Sequence, residues 1–224
     1  QIINKSIATP ELLAHILISK YADHQPLYRQ NIIYQRSGVN IPDATMADWV
    51  GRCGVALEPL VSRLHELLLS EPILHADETP VSIMKNHVKV GGKSLKKGYV
   101  WAYLTPQQSS LKAVVYDFAE SRRNEHPKAF LDKWRGKLVC DDYSGYKFLF
   151  HQGVTEIGCL AHARRKFHEL HITGQSIVSI EALTLFRQLY AVEREIDERF
   201  EKNTPPMPRD PQIVRQIRQE KAKP

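Results

Sequence analysis

The chain has 224 residues, 42% hydrophobic and 25% charged, a globular composition that excludes disorder over the whole length. No apolar run approaches the roughly 20 residues of a membrane span, which excludes a membrane partner on this reading. Lys and Arg number 31 against 25 Asp and Glu, and the net charge of +6 favours a polyanionic partner such as DNA wherever the charges cluster. The three cysteines, Cys53, Cys140 and Cys159, form no CxxC pair. They read as reduced thiols of a cytoplasmic protein, not as a structural zinc module. Gln1 and not Met opens the chain, and the expectation is a piece of a longer protein.

Residues 1–70 read as a helical region. Thr9-Pro10 is an N-cap followed by a first-turn proline, and Leu12, Leu13, Ile16 and Leu17 recur with helical spacing. Pro26 restarts a helix through Leu27, Tyr28, Ile32 and Ile33, which Gly38 stops. Thr45 and Asp48 fit a capping box ahead of Trp49 and Val50, and an amphipathic stretch continues through Leu57, Leu60, Leu64 and Leu68. Helix, turn and helix match a DNA-reading helix-turn-helix in outline; an ordinary helical hairpin is the alternative.

Residues 71–172 change character. Ile73 to Asp77 is a short apolar strand ending on a carboxylate, Val81 to Val90 alternates loosely, and Gly91-Gly92 marks a turn. Tyr99, Trp101 and Tyr103 alternate with Val100, Ala102 and Leu104, a strand pattern, and Leu111 to Tyr116 is a third strand. A helix over Asn124 to Trp134 precedes a strand, Lys137 to Asp141, that again ends on Asp. Val154 to Leu160 is a fifth strand, and a helix runs from Ala161 to about His171. A meander followed by strand–helix alternation implies a mixed α/β sheet with helices packed on it. Residues 173–224 are helical again: Ile177, Ile180, Leu183, Phe186, Leu189, Val192 and Ile196 form one stripe, and Thr204 to Pro208 breaks it. The last stretch, from Asp210, has few apolar anchors besides Ile213, Val214 and Ile217 and is expected to need a partner or downstream sequence to fix it.

The chemistry concentrates at two carboxylates. If the strands of Asp77 and Asp141 are neighbours, hard oxygen ligands converge there and suit Mg²⁺ or Mn²⁺. Two such ions activate an attacking oxygen and stabilise a leaving one in phosphoryl transfer without a nucleophilic side chain. Glu78 and Asp142 flank the pair. His75 reads as a packing neighbour, since Mg²⁺ prefers oxygen. After the fifth strand, His162, Arg164, Arg165, Lys166 and His168 open a helix, which suits a phosphate backbone. Arg122, Arg123, Lys93, Lys96 and Lys97 are further basic candidates.

The stretches His75-Ala76-Asp77-Glu78-Thr79-Pro80, Tyr99-Val100-Trp101, Cys140-Asp141-Asp142-Tyr143-Ser144-Gly145-Tyr146 and Ala161-His162-Ala163-Arg164-Arg165-Lys166-Phe167 resemble the insertion sequence 66 family of bacterial transposases. Ser19 to Gln30 and Asp48-Trp49-Val50 resemble the same family, in the same order along the chain. The resemblance implies a DDE transposase with a ribonuclease-H-like core over 71–172 and the start of a helical insertion over 173–224. It implies Mg²⁺ or Mn²⁺ as cofactor and DNA, both element ends and target, as partner. It further implies a homo-oligomer on DNA and a cytoplasmic, nucleoid-associated location. Asp77 matches the first catalytic Asp and Asp141 the second. Asp142 stands where the family commonly has Gly, which makes it a further candidate ligand. The third acid is implied in a downstream helix near an Asn-Asn-x-x-Glu-Arg pattern that these residues lack; Glu193 and Glu195 read as a solvated helix face. Residues 1–224 alone are therefore expected neither to cleave nor to join DNA. A structure-specific nuclease and an inactive DNA-binding remnant are the alternatives.

Overall fold

The computed structural model describes residues 3, 6–84, 95–174, 176–201 and 209–222. The expected Gly91-Gly92 turn, Lys93 and the break over 204–208 lie outside them.

Helix α1 (Pro10–Tyr21) starts as its sequence asks. The Thr9 hydroxyl accepts from the Leu12 amide at 3.3 Å, and Pro10 fills the first turn. Helix α2 (Leu27–Arg36) ends ahead of Gly38, whose φ of +79° suits a residue without Cβ. Helix α3 (Asp43–Leu69) begins earlier than the Thr45–Asp48 capping box predicts, and its cap position, Pro42, makes no side-chain cap bond. The entry is fixed instead by Pro42 and by a hydrophobic staple: Ile41 before the cap and Met46 in the first turn are buried in one cluster. Leu13, Ile16, Trp49 and Cys53 complete that cluster, so Trp49 of the Asp48-Trp49-Val50 motif is a core residue.

Gln30 explains part of the Ser19–Gln30 motif. It is 2% exposed, and its Nε2 donates to the carbonyls of Gln25 (3.0 Å) and Ile16 (3.3 Å). The side chain thereby ties α2 to α1 across a connection in which His24 takes a positive φ of 55°. Gln30→Ala removes both bonds and leaves a void, so it is expected to lower unfolding free energy by about 1–3 kcal/mol. Urea denaturation with an unchanged m-value measures the loss.

Five strands form one sheet in the order β3-β2-β1-β4-β5: β1 is Ile73–Met84, β2 Leu95–Leu104, β3 Val114–Ala119, β4 Lys137–Cys140 and β5 Thr155–Gly158. β2 and β3 pair antiparallel with Trp101 opposite Asp117, and β4 and β5 pair parallel with Cys140 opposite Gly158. Antiparallel and parallel pairs in one sheet make the mixed α/β sheet that the strand and helix order predicts. The strand bounds differ from the predicted ones: β2 starts earlier, at Leu95, β4 and β5 end earlier, at Cys140 and Gly158, and β1 and β3 differ as well. β1 is a single strand that continues through Thr79 and Pro80, where a break was expected. β3 starts at Val114 and not at Leu111, because the Thr105 hydroxyl donates to the Leu111 carbonyl (2.6 Å) and accepts from the Ala113 amide (3.1 Å). Those bonds hold the residues before Val114 in the turn.

The remaining helices are α4 (Glu125–Leu131), a 3-10 turn Ser144–Tyr146 running into α5 (Lys147–His151), α6 (Leu160–Gly174), α7 (Ile177–Glu201) and α8 (Pro211–Lys221). The chain forms two compact units. One comprises residues 1–74 and 78–121, with Trp101, Tyr103, Val115 and Ala119 buried on its strands. The other comprises His75–Asp77 and residues 122–224, with Leu131, Leu138, Cys140, Tyr146 and Leu149 buried. In this second unit α8 is anchored by the chain itself, not by the partner or downstream sequence that its sparse pattern led one to expect. Ile213, Val214 and Ile217 pack on Val192, Ile196 and Phe200 of α7.

Candidate active site

The second unit takes three residues of β1, His75 to Asp77, together with β4 and β5. β1 and β4 are neighbours in the sheet, so the strands of Asp77 and Asp141 lie side by side. Asp77 does not end its strand, as the apolar run Ile73–Asp77 predicted; it lies inside β1, with its side chain 55% exposed. Asp141 directly follows Cys140, the last residue of β4. Leu74 and Ala76 are buried on β1, and strand alternation turns Asp77 to the other face. Glu78 belongs to the first unit, where burial, followed by the charges of Asp117 and Glu78, pushes the Tyr103 hydroxyl far above its ordinary pKa. His75 is half-buried, and burial pushes its imidazolium pKa down.

The loop after β4 separates the two adjacent aspartates. Oδ1 of Asp141 accepts from the Tyr143 amide at 3.0 Å, an Asx turn that fixes the carboxylate at the strand end. Asp142 is 94% exposed and pairs with Lys147 Nζ at 2.7 Å. Its hydrogen bond and charge interaction with Lys147 hold the Asp142 pKa below the ordinary carboxylate value. Lys147 also reaches Glu156 on β5, at 2.7 Å. Tyr143 is clamped as well: the Arg122 guanidinium lies 3.9 Å from its ring centroid, its hydroxyl donates to the Arg122 carbonyl, and its edge meets buried Tyr146.

No group of three or more His, Cys, Asp or Glu side chains converges among the described residues. Two aspartates on neighbouring strands still fit Mg²⁺, which binds through one or two carboxylates and completes its shell with water and substrate phosphate.

The sequence matches the Transposase IS66 family over residues 5–224. The chain belongs to the IS66 transposase family. Uncharacterized protein y4qI of Sinorhizobium fredii is 32% identical over 207 residues, covering 87% of this chain and 38% of that protein. Uncharacterized protein y4jD of the same organism is 34% identical over 201 residues, covering 85% of this chain and 39% of the relative. The chain thus spans well under half the length of these curated relatives. Among solved structures, the Mos1 transposase paired-end complex with left transposon end aligns over 99% of this chain and 80% of its own, at 13% identity and a TM-score of 0.28.

In this IS66-family chain the predicted basic residues separate into three groups. His162, in the first turn of α6, faces the carboxylate: its Nε2 lies 3.9 Å from Asp77 Oδ2, and its Nδ1 is buried without a hydrogen-bond partner. Arg164 and Arg165 point instead into a cavity between α6 and α7 that Lys166 does not line. Of the others, Lys96 pairs with Glu120 (2.6 Å), Arg123 approaches Glu125 (3.9 Å), and Arg122 lies over Tyr143. Glu193 and Glu195 are not simply a solvated face. Glu193 takes a two-pronged contact from Arg218 (2.7 Å each), and Glu195 pairs with Lys221. Both acids therefore fasten α8 to α7. Sequence reading missed Arg187, Arg194 and His171, which share the cavity with Arg164 and Arg165. The spacing of seven between Arg187 and Arg194 puts them on one helix face and was a readable signal.

Proposed function

We propose that this chain carries the catalytic acids of a DNA transposase that cleaves element ends and joins them to target DNA by metal-dependent phosphoryl transfer. The observation that carries the reading is the adjacency of β1 and β4, which supports Asp77 and Asp141 as joint ligands of Mg²⁺ or Mn²⁺. The bound ion supplies Lewis-acid stabilisation of the attacking and leaving oxygens. The chain supplies the rest. The Tyr143 amide holds Asp141 in one orientation before metal or DNA arrives. Lys147 draws Asp142 into an ion pair, which favours Asp141 as the ligand. His162 stands against Asp77 at the opening of α6, where helix N-terminal amides and the nearby arginines suit an anionic strand.

The test is an assay with the intact protein, labelled element-end DNA and an unlabelled target in Mg²⁺ or Mn²⁺. Cut ends and end–target joints are expected, both abolished by chelating the metal. Cutting without joints turns the reading to a nuclease, and neither product in any metal sinks it.

A further inference from the structure

α7 divides its charges between two neighbours. Three of its acids serve α8 and the segment before it: Glu193 with Arg218, Glu195 with Lys221, and Asp197 with Arg209 at 2.6 Å. Its cations Arg187 and Arg194 turn to α6, where they meet Arg164 and Arg165 around a cavity of about 850 Å³. His168 and His171 of α6 and Tyr190 of α7 line the same space. No carboxylate among the described residues pairs with any of these four arginines, although Arg52, Arg63, Arg209 and Arg218 all have carboxylate partners. The Nδ1 of His171 is buried without a hydrogen-bond partner. Four unneutralised guanidinium groups around one concave space repel one another, and field focusing in such a cleft raises the local concentration of anions.

We propose that the cleft between α6 and α7 grips successive backbone phosphates of the DNA strand that continues from the Asp77 edge. This deepens the transposase reading and rests on it. α6 begins beside Asp77 with His162, and over its next turns Arg164, Arg165, His168 and His171 line the cavity from the adjoining side of the helix. At 1.5 Å per residue, His162 to His171 spans about 14 Å, the length of a few nucleotides of one strand. Arginine forks suit phosphate oxygens in pairs, and the Tyr190 ring gives an unstacked base a surface. The cleft is therefore a grip for the reacting strand that takes phosphates regardless of sequence.

The experiment compares the wild-type chain with the double variant Arg187→Ala/Arg194→Ala, by fluorescence anisotropy on labelled single-stranded and duplex DNA over a salt series. Both changes lie on the helix face away from α8. The variant is expected to bind single-stranded DNA at least ~10-fold more weakly at low salt, with a slope of log affinity against log salt flatter by about 1.4. Its melting temperature should stay level or rise, because two repelling charges are gone. Three results overturn the proposal: an unchanged slope, a melting point lowered by several degrees (a structural role for the arginines), or displacement of DNA by low inorganic phosphate at constant ionic strength (a small-anion pocket). In these cases wild-type binding to DNA leaves the transposase reading standing. A wild-type chain that binds neither DNA form overturns the grip and the DNA-directed reading together.

Discussion

Asp77→Asn and Asp141→Asn, each made in the intact protein, are expected to slow metal-dependent cleavage of element-end DNA by about a thousandfold or more. A carboxylate that fixes a catalytic cation supports several kcal/mol of transition-state stabilisation, and each 1.36 kcal/mol is tenfold in rate. Asn keeps the shape and one oxygen but loses the charge, so folding survives while the cation is lost. Asp142→Asn is the internal contrast. Its carboxylate is 94% exposed and engaged with Lys147, so its removal should change the rate by no more than a few-fold. Glu193→Gln should behave likewise, because that acid is spent on Arg218. Single-turnover rates at saturating Mg²⁺, with melting curves for each variant, decide the matter. If Asp142→Asn fails as badly as Asp141→Asn, the second ligand is Asp142. If Asp77→Asn keeps a tenth of the rate, β1 does not carry the first acid.

The elements that sequence made legible are those whose pattern and environment agree. β2 alternates aromatic and aliphatic residues, and Trp101 and Tyr103 are its buried face. α1 carries both a capping Thr9 and a first-turn Pro10. The elements that were misread are those decided by long-range partners. The apolar run reads as a strand that ends on Asp77, yet β1 runs on through Thr79 and Pro80 as part of a five-stranded sheet. The start of β3 depends on the Thr105 hydroxyl, eight residues from Ala113 in the chain. α8 looked unanchored because its three apolar residues are few, and only the facing stripe of α7 makes them sufficient. The site divides the same way. Asp77 and Asp141 were visible as carboxylates at apolar strands, but what distinguishes Asp142 from Asp141 is its ion pair with Lys147, which the motif does not advertise. The α6–α7 cavity was half visible: the run at Arg164-Arg165 stands out in sequence, whereas Arg187 and Arg194 hide among the acids of α7.

Gly145→Ala should cost about 2–3 kcal/mol and lower the melting temperature by roughly 5–10 °C. A Cβ at Gly145 would stand 2.1 Å from Cε1 and 2.6 Å from Cζ of the Tyr143 ring, so the ring has to leave. It cannot leave freely. Arg122 covers one face, the hydroxyl is bonded to the Arg122 carbonyl, and Tyr146, fully buried, meets the ring edge-on. The Tyr143 amide is also the donor that orients Asp141, so displacing this residue loosens the carboxylate as well as the core. Cleavage by the intact protein should therefore fall along with stability, although Gly145 touches neither metal nor DNA. A double-mutant cycle isolates the cause. In a Tyr143→Ala background the ring is gone, and the added methyl of Gly145→Ala should cost less than about 1 kcal/mol. An equal cost in both backgrounds would mean that the backbone of the Ser144–Tyr146 turn, and not the ring, demands glycine. The φ at Gly145 argues against that outcome, because the positive-φ glycines among the described residues are Gly38 and Gly153. What this position requires is room for an aromatic side chain whose own amide sets the direction of Asp141.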